Sequence, residues 1–355
     1  MRRIAILFGG KSPEHEISVR SARNINGAID KRKFEVMLIG VDRGGCWRLI
    51  ENYGDWKFVP EEGAELALVP GKEKGKIINT TSGEALPDPE AIFLIIHGPN
   101  GEDGTIQGLL RIMDLPFIGP DVLGSSVAMD KAYAKTLLSD ADINVANGMV
   151  VNVTDKESLN YDSITIQLGS PIFIKPANMG SSVGVHKVNS AAEFGPAIED
   201  AFKYDHKILI EEMIHGRELE CAVLGNEFPK VSKAGEILVV SEEEYSFDAK
   251  YTSATAAKVI VPAEVSETAM EALRKTAIKA YKALNCEVLS RVDMFLTESG
   301  KVYVNEINTL PGFTSISMYP KLWEEAGLSY TDLITQLIQH AIERFKRQQK
   351  LKTDW

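Results

Sequence analysis

The 355-residue sequence is poor in cysteine, with only Cys46, Cys221 and Cys286. These cysteines are too few and too far apart for a disulfide framework or a zinc site. The sequence also lacks the run of about 18 apolar residues that spans a membrane. Its longest apolar run, residues 91–96, has the length of a strand. We therefore expect buried thiols in a reducing compartment and no membrane-spanning segment.

Basic residues are outnumbered, with 39 lysines and arginines against 50 aspartates and glutamates and a formal net charge of -11. A protein that coats nucleic acid needs a basic surface, so this balance argues against that class. The apolar stretch behind the N-terminal Met1, residues 4–8, is too short for a secretory signal. The sequence thus predicts a cytoplasmic protein with no nucleic-acid or membrane partner.

The length and the hydrophobic share of 44% suffice for two or three domains. In the first third, predicted strands at residues 4–8, 34–41 and 91–96 alternate with predicted helices at 17–29 and 105–113. This alternation is typical of a parallel α/β sheet. Residues 43–89 are rich in glycine, proline and charge, and we interpret them as a peripheral elaboration.

Two α+β units are predicted to follow. One has a helix over residues 125–140, short strands at 172–174, 183–188 and 208–210, and a helix over 191–202. The other begins near residue 217 and contains helices over 267–284 and 331–345. In the last helix apolar residues recur at the i, i+3, i+4, i+7 spacing of a helix that packs on a core.

A predicted hairpin carries the strongest chemical signal. Residues 291–295 and 302–308 alternate in polarity, and Ser299-Gly300 is a turn dipeptide between them. With that dipeptide at the tip, Asp293 faces Glu306 and Arg291 faces Asn308. Because facing carboxylates repel, a cation should lie between them. It is either an arginine or a divalent ion such as Mg²⁺, which prefers oxygen ligands.

A glycine-rich segment, residues 175–184, follows the predicted strand at 172–174. Small residues at such a position let backbone N–H groups surround an anion, and Lys175 adds a positive charge. The segment also matches the G-x-S-x-G motif of hydrolases, with Ser182 as nucleophile. That motif requires a helix after the turn, whereas the residues behind Ser182 have an extended pattern. We therefore prefer the anion site.

Two further loops are candidates for substrate contact. Residues 97–104 end a parallel strand, where α/β sheets bind ligands, and Glu14 falls on the same edge. These groups could hold an amine, or His97 could be satisfied by backbone while Asp103 caps the next helix. Residues 241–257 are polar yet carry Lys250 and Tyr251, which suggests a lid or a loop packed by its own rings.

These features, in this order, resemble the D-alanine:D-alanine ligases of the ATP-grasp superfamily. The matching segments are residues 8–16 (FGGKSPEHE), 97–104 (HGPNGEDG) with Gln107-Gly108, 129–131 (MDK), 175–184 (KPANMGSSVG), 291–293 (RVD) and 305–314 (NEINTLPGFT). One departure is Val288, where the family usually has glycine. The resemblance covers almost the whole chain.

The resemblance implies an ATP-grasp fold, with an N-terminal parallel α/β domain (residues 1–121) and two α+β domains that clamp ATP (122–216 and 217–355, with the lid at 241–257). It implies ATP-dependent ligation of two D-alanines through a D-alanyl phosphate, for peptidoglycan precursor synthesis, by a homodimer. Lys250-Tyr251 and Met318 favour D-alanine over D-serine or D-lactate as the second substrate. A non-catalytic nucleotide-binding protein of the same fold is the alternative from another class.

The resemblance also implies roles for individual residues. Two Mg²⁺ ions, with Mn²⁺ as a substitute, would be held by Asp293, Glu306 and Asn308. Nucleotide contacts would come from Lys131, Lys175, Ser181, Ser182, Glu211, Glu212, Met213, Ile214, Glu218, Lys250, Asn305 and Glu306. Substrate contacts would come from Glu14, His97, Glu102, Lys250, Gly312, Ser317 and Met318. The catalytic residues would be Glu14, Ser181, Tyr251, Arg291 and Ser317.

Overall fold

The computed structural model describes residues 1–51, 54, 57–71, 74–239 and 257–352. The predicted lid, apart from residue 257, lies outside these residues, and so do Lys250 and Tyr251. The described part is a mixed α/β structure with three sheets, which lie within residues 2–94, 148–212 and 217–308. The domain boundaries after residues 121 and 216 stay a prediction.

The N-terminal sheet has six strands in the order β5-β4-β3-β2-β1-β6. Its centre is the predicted parallel part, where β1 (Arg2–Gly9) pairs with β2 (Phe34–Val41) and β6 (Ala91–Leu94). Helices α1 (His15–Ala28) and α2 (Thr105–Ile112) follow β1 and β6. Both strand-to-helix connections reach the carboxyl edge of the sheet, which brings residues 10–14 and 97–104 together.

Residues 43–89 form part of this sheet, which the sequence pattern did not predict. They contain β3 (Trp47–Ile50), β4 (Ala64–Val69) and β5 (Lys76–Asn79), which extend the sheet in antiparallel order. The strands are four to six residues long and partly exposed, so they show little alternation. The segment is peripheral, as expected, but its described part contains regular β-strands.

The central sheet has four strands in the order β7-β10-β8-β9. These are β7 (Gly148–Asn152), β8 (Ile172–Pro176), β9 (His186–Val188) and β10 (Lys207–Glu212), with α5 (Tyr161–Leu168), α6 (Ala191–Ala201) and a 3-10 helix (Val153–Ser158). The predicted strand at 183–188 is wrong in its first half. Ser181, Ser182 and Gly184 have φ values of +51°, +59° and +68°, which make turns instead of extended chain.

The C-terminal sheet has five strands in the order β13-β12-β11-β14-β15. They are β11 (Arg217–Gly225), β12 (Lys230–Val239), β13 (Ala257–Ile260), β14 (Val288–Leu296) and β15 (Val302–Asn308), and α7 (Glu267–Ala283) covers one face. The predicted helix over 125–140 is two helices, α3 (Val122–Met129) and α4 (Lys131–Asp140). Asp130 separates them because its carboxylate caps α4 by accepting hydrogen bonds from the N–H groups of Ala132 and Tyr133.

The last two helices, α8 (Met318–Glu325) and α9 (Tyr330–Gln348), join the outer sheets. One hydrophobic core contains residues of β1, β2, β6, α8 and α9 together with Ala222, Leu224 and Leu289 of the C-terminal sheet. The central sheet instead has a core of its own, made by residues between Val151 and Ile210. Among the described helices, none is both long and apolar enough for a membrane span.

Arg344 of α9 reinforces this junction between the outer sheets. Its guanidinium is buried and donates hydrogen bonds to the carbonyl oxygens of Phe117, at 2.8 Å, and Gly119. The group also lies 4.5 Å from the centre of the Phe117 ring. A buried arginine is stable only when such partners satisfy it, so the end of the N-terminal unit is tied to the last helix.

Candidate active site

Glu14, directly before α1, lies where the N-terminal and central units meet. One carboxylate oxygen of Glu14 accepts a hydrogen bond from the Ser181 hydroxyl in the loop of residues 177–184. A Cβ atom at Gly98 would lie 2.8 Å from Glu14 Oε2, and one at Gly180 would lie 3.2 Å from it. Both loops thus need glycine to approach the carboxylate, which is buried and suited to hold an ammonium group.

The loop of residues 97–104 supplies a second buried carboxylate. Glu102 accepts hydrogen bonds from the backbone N–H of Gly98, at 2.7 Å, and from that of Leu310, at 3.1 Å. Burial, followed by the charges of Glu14 and Glu306, raises the pKa of Glu102 to about 8. Through its two hydrogen bonds, Glu102 joins this loop to the segment behind β15.

His97 is also buried, and its ring bonds to the backbone of Leu310. Burial lowers the pKa of His97 to about 4, so the imidazole is neutral at pH 7. Asp103 accepts hydrogen bonds from the N–H groups of Asn100 and Thr105, at 2.8 and 3.0 Å, beside the start of α2. The alternative in which backbone atoms satisfy His97 thus agrees with the contacts of the ring. A contact between His97 and substrate stays a prediction.

Lysines gather on the other side of the 177–184 loop. Lys131, at the start of α4, donates to the Met179 carbonyl oxygen at 2.6 Å and lies 3.3 Å from Glu306 Oε2. Lys175 of β8 lies 2.7 Å from Glu211 Oε2 and 3.3 Å from Asn305 Oδ1. The structure therefore brings predicted nucleotide residues from α4, β8, β10 and β15 together at the boundary between the central sheet and the outer sheets, which we call the cleft.

Lys135, one helical turn after Lys131, is a buried lysine that the sequence analysis missed. Its ammonium lies 2.6 Å from Glu211 Oε1, so Glu211 is shared between Lys135 and Lys175. Burial, and then the charge of Lys175, lowers the pKa of Lys135 to about 8. Burial alone would raise the pKa of Glu211, but the two lysines outweigh it and the net shift is downward. The i, i+4 spacing from Lys131 was a signal that could have revealed it.

The hairpin of β14 and β15 has the predicted pairing at its functional end. Asp293 faces Glu306 and Arg291 faces Asn308. The predicted two-residue tip is wrong, because the Thr297 N–H bonds the Lys301 carbonyl across a three-residue loop in which Gly300 has a φ of +79°. A bulge between Asp293 and Met294 shifts the register back by one residue. The two deviations cancel, and the predicted pairs survive.

Arg291 supplies the cation that facing carboxylates require. Its guanidinium donates to both Asp293 oxygens at 2.7 Å and lies 3.0 Å from Glu220 Oε2. Burial raises the pKa of Asp293, Arg291 acts against that shift, and the charges of Glu306 and Glu218 add to it. The arginine alternative therefore describes Asp293 in this structure. Glu220 was missed, although it directly faces Asp293 on β11.

Glu306 and Asn308, on the same face as this arginine, carry oxygen atoms that a divalent ion could use. The Asn308 Oδ1 atom is buried and has no hydrogen-bond partner in the described part of the chain. Such an oxygen needs a ligand, and two carboxylates with one amide oxygen suit Mg²⁺. No group of three His, Cys, Asp or Glu side chains that could hold a metal occurs within the described residues. The donor set fits a hard cation that also has phosphate or water oxygens as ligands.

The segment behind β15 carries the residues predicted for the second substrate. Ser317 Oγ accepts from the Thr314 N–H at 3.0 Å, and a Cβ atom at Gly312 would lie 2.8 Å from that oxygen. Met318 begins α8 and is buried, with its sulfur 2.6 Å from the Cβ position of Gly235. Ser317 and Gly312 thus share one turn, and Met318 packs mainly into the core.

The remaining predicted residues have simpler surroundings. Glu212 accepts from the Asn147 N–H at 2.7 Å, and Met213 and Ile214 follow it at the end of β10. Ser182 lies in a turn that leads to β9 and not to a helix, which removes the structural basis of the hydrolase alternative. The nucleotide roles of these residues, and of Glu218, stay predictions.

Known proteins are similar to this chain over almost its whole length. Family models described as the D-ala D-ala ligase N-terminus and C-terminus match residues 3–120 and 137–339. A D-alanine--D-alanine ligase of Shouchella clausii is 52% identical, over 99% of this chain and 98% of the relative.

Two solved structures are also similar. A D-alanine-D-alanine ligase from Coxiella burnetii has a TM-score of 0.85 at 35% identity, over 99% of this chain and 98% of that one. The VanG D-Ala:D-Ser ligase from Enterococcus faecalis has a TM-score of 0.84 at 34% identity, over 96% and 99%. The ATP-grasp fold prediction is thereby confirmed.

Proposed function

Because this chain belongs to the D-alanine–D-alanine ligase family, we propose that it joins two D-alanine molecules and converts ATP to ADP and phosphate. One observation carries the proposal. The Glu14 carboxylate and the Lys131 ammonium both contact the loop of residues 177–184, at Ser181 and Met179. The acid proposed for a substrate ammonium and a lysine proposed for phosphate therefore contact the same glycine-rich loop.

In the first step, a carboxylate oxygen of the first D-alanine attacks the γ-phosphorus of ATP, and the bond to the β-phosphate oxygen breaks. ADP leaves, and a D-alanyl phosphate forms. Glu14 holds the ammonium of this D-alanine, while Lys131 and Lys175 neutralise phosphate charge. Such positioning and charge neutralisation is most of what a protein contributes to phosphoryl transfer.

In the second step, the amine of the other D-alanine attacks the carbonyl carbon of the acyl phosphate. The nitrogen loses a proton as the C–N bond forms, and phosphate, which takes up this proton, leaves from the tetrahedral intermediate. Arg291 stabilises the oxyanion, and its contacts with Asp293 and Glu220 orient it for this role. Gly312, Ser317 and Met318 contact the second D-alanine. Lys250 and Tyr251 belong to the proposed lid.

Asp293, Glu306 and Asn308 would hold two Mg²⁺ ions, for which Mn²⁺ substitutes. When bound, such ions neutralise developing charge on the transferring phosphoryl group. The Asn308 Oδ1 atom, which has no hydrogen-bond partner among the described residues, supports this assignment. We further propose a cytoplasmic homodimer that supplies dipeptide for peptidoglycan precursors, with no nucleic-acid or membrane partner.

The experiment is an assay of phosphate release from ATP with D-alanine and Mg²⁺, with the product identified by mass. D-Alanyl-D-alanine should form, and D-serine and D-lactate should compete poorly as second substrates. ATP binding without dipeptide would instead identify a non-catalytic nucleotide-binding protein. A main product containing D-serine would identify the activity named for the Enterococcus faecalis relative.

Variants of the hairpin test the metal residues. Asp293→Asn and Glu306→Gln should each lower turnover at least about a hundredfold, because each removes a negative charge that would hold the metal ions. Glu298→Gln at the exposed tip of the same hairpin is the matched control and should keep full activity. Full activity of Asp293→Asn or Glu306→Gln would contradict the proposed metal site.

A further inference from the structure

The segment that carries the proposed acceptor residues, residues 309–317, is held largely by side chains of the N-terminal unit. The Leu310 backbone bonds to Glu102 and to the His97 ring. The Phe313 N–H donates to Ser21 Oγ at 3.1 Å, and the Phe313 carbonyl accepts from Asn24 Nδ2 at 3.2 Å. Side chains of the N-terminal unit thus fix the path of the chain that follows β15.

Ser21 is completely buried, and its hydroxyl is satisfied on both sides. Besides accepting from Phe313, its oxygen lies 3.5 Å from His97 Nε2. The Phe313 ring is buried against Phe93 and Tyr319, at centroid distances of 5.6 and 5.7 Å. The backbone at Phe313 is therefore held by directional bonds as well as by packing, immediately after Gly312.

Helix α1 connects this contact to the other substrate. Glu14 precedes the first residue of α1, while Ser21 and Asn24 lie seven and ten residues further on. At about 1.5 Å of rise per residue, Ser21 is about 10 Å along the helix axis from Glu14, close to two complete turns. A rigid helix with these groups on one face fixes the distance between the residue proposed for the first D-alanine and the acceptor segment.

We propose that Ser21 and Asn24 are positioning residues for the second D-alanine. They hold the Gly312–Ser317 turn at a set distance from Glu14, so that the acceptor amine approaches the acyl phosphate held beside Glu14. This inference rests on the proposed ligase function. Neither residue touches the substrate, and each acts through the backbone of Phe313.

The test uses initial rates over a wide range of D-alanine concentrations, which separate the Michaelis constants of the two D-alanine sites. Ser21→Ala should raise the acceptor constant about tenfold, a loss of about 1.4 kcal/mol of transition-state binding. Asn24→Ala should raise it about threefold, because Tyr330 also donates to the Phe313 carbonyl, at 2.7 Å. The constants for the first D-alanine and for ATP should change less than twofold.

Thr331→Val is the matched control. Its hydroxyl donates to the Ala28 carbonyl at 2.8 Å, so the variant also loses a hydrogen bond between α9 and α1, at a point away from the acceptor segment. All three constants should stay within twofold of the parent. A parallel rise of all constants in the Ser21 and Asn24 variants, or an equal effect of Thr331→Val, would show a merely structural role and overturn the inference.

Asn24→Ala keeps the test decisive if Ser21→Ala does not fold, since Asn24 is only half-buried and makes one of two bonds to the Phe313 carbonyl. A parent protein that forms no dipeptide overturns the proposed function and this inference with it. An active parent whose acceptor constant is unchanged in the folded variants overturns the inference alone.

Discussion

The outer sheets and the central sheet are joined to their surroundings in different ways. Residues of β1, β6, α8 and α9 share one hydrophobic core that spans both outer sheets. The central sheet has a separate core, and its side-chain contacts across the cleft are polar, such as Lys175 with Asn305 and Ser181 with Glu14. The outer sheets therefore form one body, and the central sheet is the part attached along the cleft.

This difference determines where the molecule can open. Separating a shared apolar core exposes surface at about 25 cal/mol per Å² and is costly. Polar contacts across a cleft can be exchanged for contacts with water or with a nucleotide at much smaller cost. The proposed ATP site thus lies along the boundary that is easiest to open, and the residues proposed for both D-alanines lie on the outer body.

Two core truncations should have the largest effect and test whether the outer sheets respond together, apart from the central sheet. Leu337→Ala in the shared core and Ile174→Ala in the central core each remove a fully buried side chain, at about 2–5 kcal/mol. In Leu337→Ala, native-state hydrogen exchange should accelerate in both outer sheets together. In Ile174→Ala it should accelerate in the central sheet alone. Acceleration of one outer sheet without the other would contradict the single body.

Arg344 provides the next largest effect. Arg344→Met should lower the free energy of unfolding by about 2–4 kcal/mol, because the buried carbonyls of Phe117 and Gly119 lose their donors. Urea denaturation measures this loss. Arg347→Met removes a more exposed arginine three residues, or just under one turn, further along α9 and should cost less than about 1 kcal/mol. Equal losses in the two variants would show that burial at Arg344 is not the cause.

A fall in pH should lower the free energy of unfolding through His97, which lies at the same junction. The pKa of buried His97 is about 4, below its ordinary value of 6.5, so only the unfolded chain takes up this proton between those values. Stability is thus lost as the pH falls through that range, by up to roughly 3 kcal/mol. Between pH 7 and 4.5, the free energy of unfolding, measured by urea denaturation, should fall less in His97→Gln than in the parent protein. The exposed His215→Gln variant should retain the parent's dependence.

Val288 should give the smallest effect. This residue is fully buried with a φ of +70°, a conformation that strains a β-branched side chain. Val288→Gly should relieve about 1–3 kcal/mol of strain and lose about 2 kcal/mol of apolar burial, so stability should change by less than about 1 kcal/mol. Val292→Gly on the same strand, without positive φ, should cost about 2 kcal/mol or more. Equal losses of stability in Val288→Gly and Val292→Gly, measured by thermal unfolding, would exclude strain at Val288.

Sequence periodicity predicted the elements whose apolar residues face one core. Helix α9 and the parallel strands β1, β2 and β6 are close to their expected bounds. Periodicity failed where a local side-chain contact decides the structure. The Asp130 cap divides a long apolar pattern into two helices, and short edge strands such as β3 have too few residues to show alternation.

The candidate site was predictable where a residue's partner lies on a paired strand. Asp293 and Glu306 follow from hairpin register, even though the tip and the bulge did not. Glu220 and Ser21 meet their partners on a strand far away in the chain or across domains, and no spacing in a single sequence encodes such contacts. Lys135 is marked only by its i, i+4 spacing from Lys131, which does not identify Glu211 as its partner. Their importance appears only when burial shows which charges and hydroxyls must be satisfied.

The shared core also has a consequence for synthesis of the protein. Strand β1 is made before α9, but the core that buries Ile4, Ile6 and Phe8 includes residues of α9. While the ribosome adds the intervening residues, part of the N-terminal sheet's apolar surface lacks its α9 partners. The nascent chain therefore depends on α9 for completion of this sheet, and a product truncated before α9 would expose a surface prone to aggregation.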